Sequence, residues 1–234
     1  LRTFSRGGSD ITGSILAHSI NASMYENWTD VSGLLMADPR IVAQPKPMES
    51  ISYREIRELA YSGANVFHDE AIVPCKIKGI PVNIRNTNQP EDPGTIIGPV
   101  PENPENIVTG IAGRKHFSMI YMEKNLMNQE RGFGRKAMSI LETHNVSFEH
   151  APTGIDSMSI LVEQNSLKEV KGLVLEELEN QLSPDSITIT EDIALITTVG
   201  HGMNHHVGTA AKLFSALAED LSLIHISEPT RLGF

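Results

Sequence analysis

Three prolines fall within nine residues in the stretch Gly98-Pro99-Val100-Pro101-Glu102-Asn103-Pro104-Glu105-Asn106. Proline lacks the backbone N–H that a helix interior or a central strand needs, so neither element can run through this segment. A chain of 234 residues is long enough to bury two cores of ordinary size. A domain boundary is therefore expected here, and the hydrophobic pattern differs on its two sides.

Upstream, the glycine-rich turn Arg6-Gly7-Gly8-Ser9-Asp10 leads into a predicted helix over Ile11 to Ala17, with Ile11, Ile15 and Leu16 as its apolar face. Tyr25 to Val31 is expected as a strand. Met48 to Gly63 contains a second helix with Ile51, Ile56 and Leu59 near one face and a glycine stop, and Ile80 to Ile84 is a buried strand. Alternation of strand and helix points to an α/β layered domain with a largely parallel sheet. Downstream, strands are expected over Ile107 to Ile111 and Phe117 to Met122, then a helix over Gly132 to His144. Strands over Val146 to Glu149 and Ser157 to Glu163, a helix over Leu167 to Leu182 and a strand over Ser186 to Thr190 follow. Phe133, Ala137, Ile140 and Leu141 share one helical face, and Leu167, Val170, Val174, Leu178 and Leu182 another. The order βαββαβ is the ferredoxin-like plan. A second copy opens with a strand over Ile193 to Val199, a turn, and a helix with Val207, Ala211, Phe214 and Leu217 at helical spacing.

The bulk properties narrow the function. A net charge of −10 without a basic stripe argues against nucleic acid or an anionic lipid surface as partner. No apolar run is long enough to span a bilayer. The single cysteine, Cys75, has no partner for an internal disulfide, is flanked by apolar residues and is expected in the core, which fits a reducing cytoplasm. Asn21-Ala22-Ser23 and two similar triplets are taken as chance matches to a glycosylation acceptor. Met119, Met122, Met138 and Met158 are expected as core. Gly200-His201-Gly202-Met203-Asn204-His205-His206 is expected to be a turn rather than a metal centre, because no carboxylate or cysteine stands at ligand spacing.

A glycine pair ahead of a helix lets backbone N–H groups approach an anion at the positive helix end, and an adjacent arginine can grip a carboxylate with two bonds. The same segment can equally be a plain turn. What distinguishes it is the series that follows: Phe4-Ser5-Arg6-Gly7-Gly8-Ser9-Asp10, Asn27-Trp28-Thr29-Asp30-Val31-Ser32-Gly33, Asp38-Pro39-Arg40, Ser62-Gly63-Ala64-Asn65-Val66-Phe67-His68, and Asn86-Thr87-Asn88 with Gly94-Thr95. In this order and spacing, and followed by tandem small modules, residues 1–220 resemble aspartate kinase of the amino acid kinase family, of the lysine-sensitive bacterial type.

The resemblance implies an α/β fold. Residues 1–100 would be the C-terminal part of a kinase α/β/α sandwich, 106–190 a ferredoxin-like ACT domain, and 191–220 the start of a second, truncated ACT domain. It assigns Arg6, Gly7, Gly8 and Ser9 to L-aspartate, with Arg6 and Asp10 in the catalytic centre, and Thr29, Asp30, Leu35, Arg40, Asn65 and Val66 to ATP. Leu35 stands where relatives are often aromatic and Asn65 where some carry lysine. It places an allosteric amino acid, lysine in preference to threonine, at Met127, Glu130, Phe148, Glu149 and Asp156, and implies a homodimer through the ACT domains. The implied reaction passes the γ-phosphoryl group of ATP, as its Mg²⁺ complex, to the side-chain carboxylate of aspartate. That nucleophile is already ionised, so no general base is required.

Both ends are expected to be truncated. The family's N-terminal lysine and glycine-rich phosphate loop have no counterpart downstream of Leu1, and Leu221 to Arg231, within a 221–234 tail, resembles a translated sequencing adapter. The fragment alone is expected to be inactive. Two other readings stand beside this one: a free-standing amino-acid-binding regulatory module, and another carboxylate or carbamate kinase of the same superfamily.

Overall fold

The computed structural model describes residues 8–64, 69–99, 107–204 and 206–219. Arg6, Gly7, Asn65, Val66, most of the proline-rich stretch and the 221–234 tail lie outside them. By packing the chain forms two compact units. One comprises the residues up to Gly113 and those from Ile196 onward; the other is Arg114–Leu195.

In the first unit, helix α1 (Gly8–Ile20) precedes strand β1 (Tyr25–Thr29), then β2 (Ser50–Ser52), α2 (Tyr53–Tyr61), α3 (Val73–Lys78), β3 (Val82–Asn86) and β4 (Thr95–Gly98). The sheet order is β1-β3-β4-β2. The outer pairs β1/β3 and β2/β4 are parallel, and the central pair β3/β4 is antiparallel, closed by the loop 87–94. The sheet is thus mixed where a largely parallel one was expected.

Local chemistry explains the elements. Ser52 caps α2 in a capping box with Glu55. That fixes the helix start after Ile51, which is no helix residue but a fully buried strand residue paired with Ile97. Pro74 in the first turn of α3 and Gly79 at φ +67° after its end delimit that helix. The expected α1 face is also corrected. Ile15 and Leu16 are 47% and 59% exposed, whereas Ser14 and Ala17 are buried. Small residues face inward because the helix lies close to its neighbours: a Cβ on Gly13 would sit 2.5 Å from Tyr25 Oη, and Ser14 Oγ meets Cys75 Sγ at 3.1 Å. Cys75 is fully buried, as expected, and burial raises its thiol pKa against the lowering effect of Ser14.

The chain passes into the second unit along β5 (Gly110–Glu123) and leaves it along β8 (Ser186–Val199). Each is one long strand where two were expected. The expected interruptions survive as kinks, His116 at φ +68° and Asp192 at φ +59°, as a bulge bends a strand without ending it. Between them lie α4 (Phe133–Thr143), β6 (Phe148–His150), β7 (Ser157–Glu163), α5 (Gln164–Lys168) and α6 (Lys171–Leu182). The sheet order is β6-β7-β5-β8, with β5/β7 and β6/β7 antiparallel. This is the ferredoxin-like arrangement. Phe133, Ala137, Ile140 and Leu141 are all buried, as are Val174, Leu178 and Leu182. One helix was expected over Leu167 to Leu182; the chain instead turns at Val170, because α5 follows β7 directly and must fold back before α6 can run.

After β8, a short 3₁₀ turn (His201–Asn204) leads to α7 (Thr209–Glu219). The helix forms where expected, yet none of its residues is buried, and Val207, ahead of it, is fully exposed.

Candidate functional site

In layered α/β domains ligands gather outside the carboxyl ends of parallel strands. Here those ends are Thr29 of β1 and Asn86 of β3, which are register partners. Thr87 locks them together, its N–H and its hydroxyl both donating to the Thr29 carbonyl at 2.8 and 2.9 Å. Thr29 Oγ1 donates to Asp30 Oδ1 at 3.1 Å, and Asp30 is exposed. Beneath them a polar chain joins three segments. Asn86 Nδ2 donates to Ser32 Oγ (2.9 Å), Ser32 Oγ donates to Gln89 Oε1 (3.1 Å), and Asn88 N donates to Asn86 Oδ1 (2.9 Å).

The turn after Asp30 is anchored from below. Leu34 N donates to Thr95 Oγ1 (2.8 Å), which donates to the Met48 carbonyl (2.6 Å). Gly33 and Gly94 are needed where they stand, with φ of +94° and +75°. A Cβ on Gly94 would lie 2.1 Å from the Ile84 carbonyl oxygen.

Leu35 lies at the base of the next loop, bridged to Pro47, and is 37% exposed. Arg40, also exposed, grips its neighbour Asp38: Nη2 reaches Oδ2 at 2.6 Å and Nε reaches Oδ1 at 3.0 Å. Those bonds hold the Asp38 carboxyl below the usual carboxylate range. Gly8, Ser9 and Asp10 form the first turn of α1, where a loop was expected; Ser9 Oγ donates to Asp10 Oδ1 at 3.3 Å. Tyr25 Oη donates to the Asp10 carbonyl at 3.3 Å. Burial first, and then Asp10, raise the Tyr25 pKa.

The residues expected to hold an allosteric amino acid fall into two groups. Met127, buried in a 3₁₀ turn, and Glu130 precede α4, and Asp156 precedes β7. Lys124 ties these together, its N–H donating to the Asp156 carbonyl (2.9 Å) and its ammonium pairing with Glu130 (2.5 Å). Lys136 pairs with Glu130 from the other side at 2.9 Å. The two lysines hold the Glu130 carboxyl below its ordinary pKa, so within this unit that charge is already matched. Phe148, half-exposed, and Glu149 lie on β6, whose partners are Val162 and Leu161 toward the far end of β7. Glu149 pairs with Arg114 at 3.0 Å. Six residue steps, from Asp156 to Val162, separate the two groups, about 20 Å of extended chain.

Several participants carry no role in the sequence reading. Ser32, Asn86 and Thr95 sit inside the motif blocks, but which of their atoms meet depends on strand register. Gln89 and Arg85 lie outside every block. Glu55 was detectable through Ser52-Tyr53-Arg54-Glu55, the capping-box spacing. It is 4% exposed and accepts from Ser52 N (2.9 Å), Ser52 Oγ (2.6 Å), Thr109 Oγ1 (2.7 Å) and His201 N (2.8 Å). Burial opposes its charge, but these four donors outweigh it and hold the carboxyl below its ordinary value. His201–Asn204 is the expected turn. Among the described residues no group of three His, Cys, Asp or Glu side chains can hold a metal ion, and no helix is long and apolar enough to cross a membrane.

Comparison with known proteins bears on this geometry. Residues 2–86 match the amino acid kinase family. Aspartokinase 3 of Bacillus subtilis is 46% identical over 93% of this chain and 48% of its own length. The crystal structure of Clostridium acetobutylicum aspartate kinase superposes with a TM-score of 0.91 at 52% identity, over 98% of this chain and 53% of that one. Escherichia coli aspartokinase III, solved with lysine and aspartate in its T-state, gives a TM-score of 0.75 at 28% identity over 98% of this chain and 51% of that one. The same enzyme with aspartate and ADP in its R-state gives 0.77 at 27%, over 98% and 52%. The chain spans about half the length of the relatives it matches. With its α/β unit, its ferredoxin-like unit and this likeness across nearly its whole length, the chain fits part of an aspartokinase, and its residues 2–86 match the amino acid kinase family.

Proposed function

We propose that this chain is part of an aspartate kinase, which converts ATP and L-aspartate to ADP and 4-phospho-L-aspartate in the cytoplasm, and that its ferredoxin-like unit is an ACT domain through which lysine restrains the reaction. The observation that carries the proposal is the polar edge at Thr29, Asp30, Ser32 and Asn86, within a chain 46% identical to an aspartokinase over 93% of its length. The E. coli relative has been solved with aspartate and ADP. By likeness to it, residues 1–100 belong to the kinase domain, 106–190 to the first ACT domain and 191–220 to the start of a second.

In the reaction a carboxylate oxygen of aspartate attacks the γ-phosphorus while the bond to the β,γ-bridging oxygen breaks, and ADP leaves with that electron pair. The barrier lies in bringing two anions together and in stabilising the transferring group. Mg²⁺ enters with ATP as the substrate complex. On this side of the site the Thr29–Asp30 edge, Leu35 and Arg40 meet the nucleotide; Asn65 and Val66, outside the described residues, are assigned to it by the family resemblance alone. Gly8, Ser9 and Asp10 meet aspartate through the positive end of α1; Arg6 and Gly7, outside the described residues, are assigned to it by the family resemblance alone.

Titration calorimetry with Mg·ATP tests the first part. Saturable binding to the chain, abolished by Asp30→Ala, is expected, and no binding by the unaltered chain would reject it. Trapping the acyl phosphate with hydroxylamine in the full-length gene product, with aspartate as acceptor, tests the reaction itself.

Lysine is the favoured effector because the E. coli relative has been solved with it, and threonine is the second. Met127, Glu130 and Asp156 at one end, and Phe148 and Glu149 at the other, could jointly meet one ligand where two chains of a homodimer juxtapose their ACT domains. In the full-length protein, a lysine-induced rise in melting temperature that disappears in Glu149→Ala supports this site. An unchanged rise rejects it.

A further inference from the structure

Arg85 makes an unusual set of contacts for a residue outside the family motifs. It lies on β3 directly opposite Trp28 of β1, and its guanidinium carbon stacks 4.7 Å from the centre of the indole ring. From there Nη2 donates to two carbonyls of the loop that follows its own strand, Pro90 O at 2.5 Å and Asp92 O at 3.2 Å. Nη1 reaches Glu26 Oε1 at 3.4 Å. The side chain is only 23% exposed. A planar, permanently charged fork suits this task, because stacking fixes its plane and leaves the N–H groups aimed at carbonyls.

The loop so held runs from Thr87 to Gly94. Its Gln89 accepts from Ser32 Oγ at 3.1 Å, Ser32 accepts from Asn86 at 2.9 Å, and Ser32 stands two residues beyond Asp30. A continuous set of contacts therefore leads from the Trp28–Arg85 stack, through the loop, to the turn that carries the Thr29–Asp30 edge. Glu26, Trp28, Thr29, Arg85 and Asn86 lie on the strands themselves; the turn after Thr29 and the 87–94 loop have no ladder to fix them. We infer that Arg85 is a positioning residue for nucleotide binding: it touches no ligand, and by bracing the 87–94 loop it holds the Asp30 turn in the conformation that accepts the nucleotide.

The inference rests on the nucleotide reading above, and the experiment separates the two. Mg·ATP is titrated into the unaltered chain, Arg85→Met and Arg85→Lys, with amide hydrogen exchange followed over residues 86–94. Arg85→Met keeps the length and the apolar stem, and Arg85→Lys keeps the charge but not the two-carbonyl fork. Both are expected to weaken binding by about tenfold, the factor that corresponds to one well-placed charge-assisted bond, and to speed exchange in the loop. Gln89→Ala, an exposed change at the other end of the same connection, is expected to weaken binding by about threefold, as loss of one neutral hydrogen bond does. It keeps the test decisive if the arginine variants fail to fold. ATP affinity unchanged in the folded variants overturns the inference alone. Lower melting temperature with unchanged affinity also overturns it, since that marks a structural role only. No binding by the unaltered chain overturns the nucleotide reading and this inference with it.

Discussion

In the ferredoxin-like unit the residues that fill the core of each helix recur every three or four places: Phe133, Ala137, and Ile140 with Leu141 on α4, and Val174, Leu178 and Leu182 on α6. In the α/β unit the decisive polar partners are far apart in sequence. At the Thr29–Asn86 edge Ser32 meets Asn86 and Gln89, and Leu34 meets Thr95; at the other end of the sheet Glu55 meets Thr109 and His201. The ferredoxin-like unit is thus specified by apolar periodicity, which tolerates a change of side chain that keeps volume. The second set is specified by donors and acceptors that must coincide, and each buried polar atom left without its partner costs free energy. The ferredoxin-like unit and the polar edge can therefore drift at different rates, and a polar change at the edge has fewer ways of being absorbed.

The largest expected effect attacks the periodic core. Leu178 is fully buried in α6 and packs among the residues of that core. Leu178→Ala should cost about 2–5 kcal/mol through lost burial and the cavity left behind. Urea unfolding measures the total, and hydrogen exchange shows where protection is lost. Loss confined to residues 114–195 keeps the contrast between the units; equal loss across residues 8–64 would break it.

That contrast also explains how much of the molecule was legible. The βαββαβ order, the face of α4, the Val174, Leu178 and Leu182 part of the second face and the burial of Met122 and Met158 follow from side-chain period, because period is a local property. Ile51 was misplaced because an apolar residue next to a helix fits its face equally well, and only the Ser52–Glu55 cap shows that the helix starts later. Ile15 and Leu16 misled for a different reason: close approach of α1 to Tyr25 and Cys75 selects small residues, so the apolar ones face outward. At the site, the motif blocks marked Thr29, Asp30 and Ser32 as belonging together with Asn86. They could not show that Thr87 clamps Thr29 or that Gln89 and Arg85 complete the network, because strand register brings these together and register is not local.

The intermediate effect falls on Glu55. Glu55→Gln replaces one carboxylate oxygen with an NH₂ group that faces donors, Ser52 or Thr109 and His201 according to its orientation, and should cost about 1–3 kcal/mol. Its pH dependence has a definite sign. The folded-state pKa lies below the ordinary 4.5, so the unfolded chain takes up the proton first as acid is added. The stability Glu55 contributes is fully present above that value and is lost as the pH falls through it toward the folded-state value. Denaturant midpoints measured from pH 7 down to pH 3 should therefore fall less steeply in Glu55→Gln than in the unaltered chain. Parallel curves would show that the Ser52, Thr109 and His201 bonds do not favour the charged form.

The smallest expected effect tests whether polar contacts matter equally in both units. Glu130 lies between Lys124 and Lys136, near the surface, where solvent screens charge and exposed pairs contribute little. Lys124 remains held without it, since its ammonium also donates to the Leu182 carbonyl and lies 5.6 Å from the Phe133 ring centre. Glu130→Gln should therefore leave the unfolding midpoint near that of the unaltered chain, and raising the salt concentration should change both alike. A loss as large as that of Glu55→Gln would mean that Glu130 and its lysines hold the entry to α4 as firmly as Glu55 holds the entry to α2. The division between a unit specified by apolar period and an edge specified by polar coincidence would then fail at a place in the ferredoxin-like unit where ion pairs cluster.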